Sequence, residues 1–452
     1  MDQARLFELP ERGPSEAIPQ ESGQPRLRIA EREQVVMRML SLDQMLPCDD
    51  EARVVWDFVC QCDLSKLLAQ IKAVEGSSGR NATDPKILLA LWLFATLKAV
   101  GSARELDRLC QRHLSYQWLC GEVSLNYHTL ANFRVQHGEV LSELLTEQVG
   151  TLMYAGAVKV ERVAQDGMRV RASAGKSSFR RAATLEECLA EAKQRVEQLE
   201  REVEDDPGAA SRRERAARQR AARERVEKVT AAMEACAAVQ AAKEKRGGDS
   251  LKNAARTSTT DPEARTMKMA NGGYNPAYNV QFSTDTETQV IVAVEVVNQG
   301  TDAGQLAPLV EQIEDRTDVR PREVLADGGF STKDEIQKLN DPKQGYKVYA
   351  PVKEEQQQRE KGHDPFAPRP GESPELTEWR TRMGTDEAKT IYKERASTAE
   401  CVNAQARQRG LHQFPVRGLN KVRLVAIWFA IAHNLRRWRT LRARGTVRVA
   451  GG

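Results

Sequence analysis

The spacing of apolar positions changes character several times along the chain. Residues 1 to 33 are rich in Glu, Pro and Arg with few aromatics, and read as a loose arm. From about 40 to 150 the spacing is helical. Asp84 is placed to cap a helix with Pro85 at its first position, predicting a helix over Lys86–Val100. Gly101-Ser102 breaks it, and Ala103–Leu114 forms another. Asn126–Arg134 opens a later helix, with Leu130, Phe133 and Val140 at core spacing. Short helices with tight breaks are compatible with a helix-turn-helix-like DNA-binding module, although periodicity alone favours an ordinary helical domain.

The period then switches to two. Val158-Lys159-Val160-Glu161-Arg162-Val163-Ala164 alternates as a β-strand and runs into Gln165-Asp166-Gly167-Met168-Arg169-Val170-Arg171. Next, Leu185, Leu189, Ala192, Val196, Leu199 and Val203 recur at spacings of four and three, the seam of a coiled coil. Asp205-Asp206-Pro207-Gly208 signals a turn, and a second helix follows to about Arg246, with Val226, Val229, Met233 and Cys236 resuming the spacing. The simplest arrangement is an antiparallel hairpin.

Strand patterns return at Asn279–Ser283 and Gln289–Val296, joined across Thr284-Asp285-Thr286-Glu287. They are followed by a helix from about Ala303 to Ile313, a strand Glu323–Ala326 that ends at Asp327, a helix Lys333–Leu339 and a strand Gly345–Ala350. Residues 352 to 373 read as a linker, and helices fill Glu375 to Leu441. This order predicts an α/β protein with a mixed sheet flanked by helices. The divisions expected are an arm (1–35), a helical N-terminal DNA-binding domain (36–155), the first part of a catalytic core (156–180), a coiled-coil hairpin insertion (181–250) and the remainder of the core with C-terminal helices (251–445).

Charge adds a partner to this picture by its distribution. Of 452 residues 29% are charged, yet the formal net charge is only +4. Arg is concentrated near 209–228 and 434–448. The second hairpin helix carries Arg212, Arg213, Arg215, Arg218, Arg220, Arg223 and Arg225 on several faces, more positive charge than seam packing uses, which points to a polyanion. The eight cysteines are scattered with no Cys-x-x-Cys pair, as expected of free thiols in a reducing compartment. No signal peptide is recognised, and the most apolar segment, Val422–Leu435, is shorter than a membrane span and contains Arg423, His433 and Asn434. A cytoplasmic, nucleoid-associated protein is expected.

Three carboxylates carry the candidate chemistry. Asp166 and Asp327 sit on strands, each followed by glycine, and Glu400 lies on a helix in Tyr392-Lys393-Glu394-Arg395-Ala396-Ser397-Thr398-Ala399-Glu400. Hard oxygen ligands of this kind can hold two Mg²⁺ about 3.5–4 Å apart, which activates one phosphodiester oxygen and stabilises another. Gly167, Gly328 and Gly329 are expected to let the backbone turn and a phosphate approach. Glu400 and Arg407 fall on one helical face, placing Arg395 and Arg407 where guanidinium forks can clamp phosphate.

These residues resemble the Asp-Asp-Glu transposases of bacterial insertion sequences, in the group with a Tyr-Arg-Glu-Lys signature. The resemblance rests on Asp166-Gly167, Ala326-Asp327-Gly328-Gly329-Phe330 and Tyr392-x-x-Arg395…Glu400…Arg407. It is supported by Thr260–Arg265 with Tyr278–Gln281, Thr301–Leu306, Glu378–Met383, and Thr129-Leu130 with Phe133-Arg134, together covering roughly residues 40 to 440. Arg407 stands where the signature has Lys, a change from ammonium to planar fork. The resemblance implies an RNase H-like catalytic core, with Asp166 bridging two Mg²⁺ (Mn²⁺ substituting) and Asp327 and Glu400 completing one each. It further implies double-stranded DNA as partner, both transposon ends and target, and a homodimer on DNA. Tyr392, Arg395, Arg407, Arg169, Arg171 and the hairpin residues Arg212, Arg213, Arg215 and Arg218 are the expected DNA contacts. A transposase-derived DNA-binding protein that no longer cuts and a nuclease without strand transfer remain as alternatives.

Overall fold

A computed structural model describes residues 33, 35, 37, 39–76, 81–205, 212–245 and 254–445, without the side chains of 203–205 and 212–213. The expected arm over 1–35 lies almost wholly outside the described residues, as do the turn at Asp206-Pro207-Gly208 and the side chains of Arg212 and Arg213. All elements below belong to one compact unit that begins at Leu42.

Helices come first: α1 (Leu42–Met45), α2 (Glu51–Gln61), α3 (Ser65–Leu68), α4 (Pro85–Leu97), α5 (Ala103–Arg112), α6 (Leu114–Cys120), α7 (Tyr127–Arg134) and α8 (Gly138–Tyr154). The α4 helix starts as its sequence predicts, with the Asp84 carboxylate accepting from Lys86 N at 2.8 Å and Pro85 in the first turn. It is apolar on nearly every face and is therefore buried nearly all round. Trp92 donates its indole N–H to Leu130 O at 2.9 Å, fixing α7 against α4.

Then follow β1 (Arg162–Arg171), β2 (Phe179–Arg180), α9 (Ala182–Asp205), α10 (Arg212–Lys245), β3 (Thr257–Ser258), β4 (Arg265–Lys268), β5 (Tyr274–Asp285), β6 (Ile291–Val297), α11 (Leu306–Thr317), β7 (Glu323–Ala326), α12 (Lys333–Leu339) and β8 (Lys347–Tyr349). The chain closes with α13 (Glu355–Glu360), α14 (Pro374–Met383), α15 (Asp386–Arg395), one π-turn (Ala396–Glu400), α16 (Cys401–Gln408) and α17 (Leu419–Ala443).

Strands β5, β1, β7 and β8 lie side by side in that order, with β4 and β6 both on the outer edge of β5. The β6–β5–β1 pairs are antiparallel and the β1–β7–β8 pairs parallel. A mixed sheet of this order, flanked by helices, fits an RNase H-like core. β6 and β7 are buried along nearly their whole length and are accordingly dominated by apolar residues. A single apolar core joins the sheet, α17 and the helices before β1. Trp428 of α17 donates to Arg134 O at 3.0 Å, and Asn434 exchanges hydrogen bonds of 2.8 Å with both N and O of Ile291.

Three expectations shift. The strand predicted at Val158–Ala164 begins only at Arg162, because Val160 takes a left-handed φ of 57°, and it continues past Asp166 to Arg171. The helix predicted from Ala303 starts at Leu306. There the buried Glu335 carboxylate accepts from Gly304 N and Leu306 N, each at 2.8 Å, and supplies a cap from a distant element. The predicted linker at 352–373 contains α13.

The α9 and α10 helices run antiparallel: Leu185 packs with Ala232 and Cys236, while Glu200 pairs with Arg223 at 3.4 Å. Their feet are clipped by β2 and β3, with Phe179 opposite Ser258. Among the described residues no helix is long and apolar enough to cross a membrane.

Candidate active site

Asp166 and Asp327 come together through the parallel pairing of β1 with β7. Gln165 lies opposite Ala326, so the next residue along each strand is an aspartate. β7 ends there because the chain turns at once: Gly329 N donates to Asp327 Oδ1 at 2.7 Å and Phe330 N to Asp327 O at 3.2 Å. β1 does not end. Gly167 remains inside the strand opposite Gln281, and its lack of a side chain serves another purpose. A Cβ there would stand 2.1 Å from Asp302 Oδ1. The turn expected after Asp166 is thus absent, and the glycine is required by a neighbouring carboxylate.

Glu400 closes the π-turn. In an α-helix residues five apart diverge around the axis, whereas a π-turn makes i and i+5 neighbours. Arg395 and Glu400 have this separation, and their side chains form an ion pair. Arg395 Nη1 also lies 3.7 Å from Asp166 Oδ2, and its guanidinium sits 5.8 Å from the centre of the Tyr392 ring. One residue therefore links Tyr392, Asp166 and Glu400.

Burial raises the Asp166 carboxyl to about 6; Arg395 pulls it down and Asp327 pushes it up. Burial likewise raises the Tyr392 hydroxyl, with Asp327 and Glu400 adding to the effect and Arg395 opposing it. On Arg395 the attraction of Tyr392, Asp166, Glu400 and Asp327 outweighs desolvation and raises its pKa. The three carboxylates thus share one electrostatic environment around a single guanidinium.

Residues outside the predicted set build the surroundings. Asn403, one turn beyond Glu400 and buried, donates Nδ2 to Asp166 Oδ2 at 3.0 Å, and its Oδ1 has no partner. Helical spacing of three from Glu400 was a signal for it. Asp302 is buried and accepts from Asn279 and Gln281, each at 2.7 Å, and from Arg169 at 3.1 Å. It approaches the same turn as Asp327: a Cβ on Gly329 would lie 2.9 Å from Asp327 Oδ1 and 3.1 Å from Asp302 Oδ2. No periodicity reveals that proximity. Arg162 holds the frame by pairing with Glu323 at 2.5 Å and with both Glu394 oxygens at 2.7 Å, tying α15 to β1 and β7.

The predicted basic residues divide. Arg169, Arg171 and Arg407 line one groove of about 610 Å³ together with Lys268, Asn271, Asn275 and His412, and Gly167, the neighbour of Asp166, lines it too. Tyr392 and Arg395 face the carboxylates instead. Arg215 and Arg218 lie on α10, half-buried and exposed respectively.

The donor set suits a hard divalent cation: two carboxylates in register, a third on the π-turn, and the unpartnered Asn403 Oδ1 nearby. Among the described residues no three acidic, His or Cys side chains stand close enough to hold an ion as placed. Glu400 is turned onto Arg395, so cation binding would have to draw it away from that guanidinium.

Two family models match the chain. One, described as a transposase DDE domain, covers residues 249–435, and the other, described as a transposase domain, covers residues 40–136. No curated protein and no solved structure matches. The first model spans Asp327, Tyr392, Arg395, Glu400 and Arg407, and the second covers the helices from α2 to α7. The chain thus carries a transposase DDE domain and a second transposase domain.

Proposed function

We propose that the chain is a transposase that binds the terminal inverted repeats of an insertion sequence, cleaves their ends by phosphodiester hydrolysis, and joins each freed 3′-OH to target DNA by transesterification. What supports this reading is the parallel register that sets Asp166 beside Asp327, together with Arg395, which lies against Asp166 and pairs with Glu400.

Asp166 with Asp327, and Asp166 with Glu400, would each hold one Mg²⁺ (or Mn²⁺), supplying Lewis-acid stabilisation of the attacking and leaving oxygens. Asn403 fixes the rotamer of Asp166 through the 3.0 Å hydrogen bond. Arg395 compensates the carboxylates until the site is loaded, and is then available to a phosphate oxygen. Arg169, Arg171 and Arg407 hold the backbone of the DNA end in the groove leading from Gly167. In hydrolysis a water oxygen bonds to phosphorus and the P–O3′ bond breaks, leaving a 3′-OH and a 5′-phosphate. In joining, that 3′ oxygen bonds to a target phosphorus, the target's own 3′ oxygen departs, and the proton passes from one oxygen to the other. Two ends acting together require at least a homodimer on DNA.

The test is nicking of a labelled terminal-repeat duplex by Asp166→Asn, Asp327→Asn and Glu400→Gln beside binding to the same DNA. Each variant should stop cutting while binding persists, since phosphate contacts elsewhere dominate affinity. Wild-type cutting by all three variants would remove the carboxylates from the reaction.

A further inference from the structure

Three cations pair with one carboxylate, Glu51, where α2, α4 and α17 meet, and two more arginines, Arg409 and Arg437, stand beside them. Glu51 accepts Lys98 Nζ at 2.9 Å, Arg439 Nη1 at 3.1 Å and Arg436 Nε at 3.7 Å. Arg437 donates Nε to Thr288 O at 2.7 Å, in the turn between β5 and β6. Arg409, just past α16, completes the group: burial lowers its pKa, and repulsion from Arg436 and Arg437 lowers it further. Among the described residues neither Arg409 nor Arg437 has a carboxylate within ion-pair distance.

Such an excess of positive charge opposes itself unless a polyanion covers it. The helix dipole does not account for it, because favourable cation placement is confined to the last turn and Arg436 and Arg437 precede that turn. Nor does it belong to the groove of Arg169, Arg171 and Arg407. Asp166 lies opposite Phe282 on β5, and the groove extends towards the start of β5, where Arg171 faces Ala277. Arg437 is anchored beyond the other end of β5, past Asp285. From Phe282 to Asp285 is about 10 Å at strand rise, or about three phosphates along one DNA strand. The acidic site thus stands between two basic surfaces.

Strand transfer brings two duplexes to one site, and only one can occupy the groove. We propose that Arg409, Arg436, Arg437 and Arg439, with Lys98, form a binding surface for the phosphate backbone of the target duplex. This rests on the transposase reading above for the identity of the duplex. The recognition chemistry is guanidinium and ammonium on phosphate oxygens, indifferent to base sequence.

The test uses the full chain and two labelled probes without divalent metal: a random-sequence duplex and a terminal-repeat duplex. Arg409→Gln/Arg436→Gln/Arg439→Gln should lower the slope of log affinity against log salt for the random duplex by about 2 to 3, at roughly 0.9 per lost contact. Binding of the terminal repeat should change less than 2-fold, and the triple Lys variant should restore the slope. In Mg²⁺, joining of a pre-cleaved end to plasmid should fall at least 10-fold while end nicking holds. An unchanged random-duplex slope overturns the proposal, and equal losses on both probes overturn the assignment to target. A melting temperature lowered in the Gln variant with a Lys variant that is stable but fails to restore the slope also overturns it. Failure of the wild type to nick would sink the catalytic reading and leave the slope measurement standing.

Discussion

Asn403 Nδ2 lies 3.0 Å from Asp166 Oδ2. The bond joins the first residue turn after Glu400 to the central strand, so helix and sheet contribute to one carboxylate position. Asn403→Ala removes the donor without touching any of the three carboxylates. End cleavage should fall by up to about 100-fold, the cost of a misplacement near 1 Å, while DNA affinity is kept. Single-turnover nicking with a parallel binding titration measures both; cleavage at the wild-type rate would show that the bond does not position Asp166.

Gly167 is fixed by contact. A methyl group there meets Asp302 Oδ1 at 2.1 Å and Gln281 Nε2 at 2.8 Å, both buried. Gly167→Ala should destabilise the fold by about 1–3 kcal/mol, the usual cost of overpacking, read as a shift in urea midpoint. Gly175→Ala is the control, since its nearest neighbour is a serine hydroxyl at 3.5 Å.

Arg407 faces the groove and not the carboxylates. Arg407→Ala should leave Mg²⁺ binding unchanged by calorimetry and weaken end cleavage, because a phosphate contact is lost and no cation ligand is. Unaltered cleavage would mean that the position contacts no DNA.

The α10 arginines test the insertion. Changing Arg212, Arg213, Arg215 and Arg218 to Gln should flatten the salt dependence of DNA binding. An unchanged slope would favour a protein partner for α10.

His433 predicts a stability profile. It is fully buried, and Nε2 lies 2.8 Å from Gln289 O, an acceptor only, so Nε2 carries the proton. Burial lowers its pKa from the ordinary 6.5 to about 4. Between those values the unfolded chain binds a proton that the folded chain does not, so this contribution is complete above pH 6.5 and is lost as pH falls. The expected slope is about 1.4 kcal/mol per pH unit. Urea unfolding from pH 7 to 4.5 should show this extra slope in the wild type and not in His433→Gln.

Much of the architecture was legible in residue spacing because apolar period and capping are local. Glu323–Ala326 and Lys333–Leu339 have the limits their patterns predict, and Asp84-Pro85 starts its helix. The start of β1 was not legible, since a left-handed Val160 contradicts the preference of a β-branched residue. Asp166, Asp327 and Glu400 stand out in the sequence as candidates by type and order, and the β1–β7 register sets the first two side by side. The π-turn that aims Glu400 at Arg395 was hidden, because a run of Ala, Ser and Thr carries no mark of one extra residue per turn. Asp302 was hidden for another reason. Its neighbours Gly167, Asn279 and Gln281 meet it only across the finished sheet.

The antiparallel helices α9 and α10 interrupt the chain between two strands that must pair, and this bears on how fast the molecule can assemble. Arg171 at the end of β1 has to find Ala277 of β5, about a hundred residues later, before the central pair can zip. Helices form and meet through near neighbours, and the clip of Phe179 on Ser258 brings their feet together. Once that has happened, the unstructured length left between the strands is roughly a quarter as long, which lowers the entropy of closure by about 1.2 kcal/mol at 0.6 kcal/mol per halving. The insertion would thus accelerate the search for the sheet's first long-range contact by close to an order of magnitude, a kinetic role independent of whatever its arginines bind.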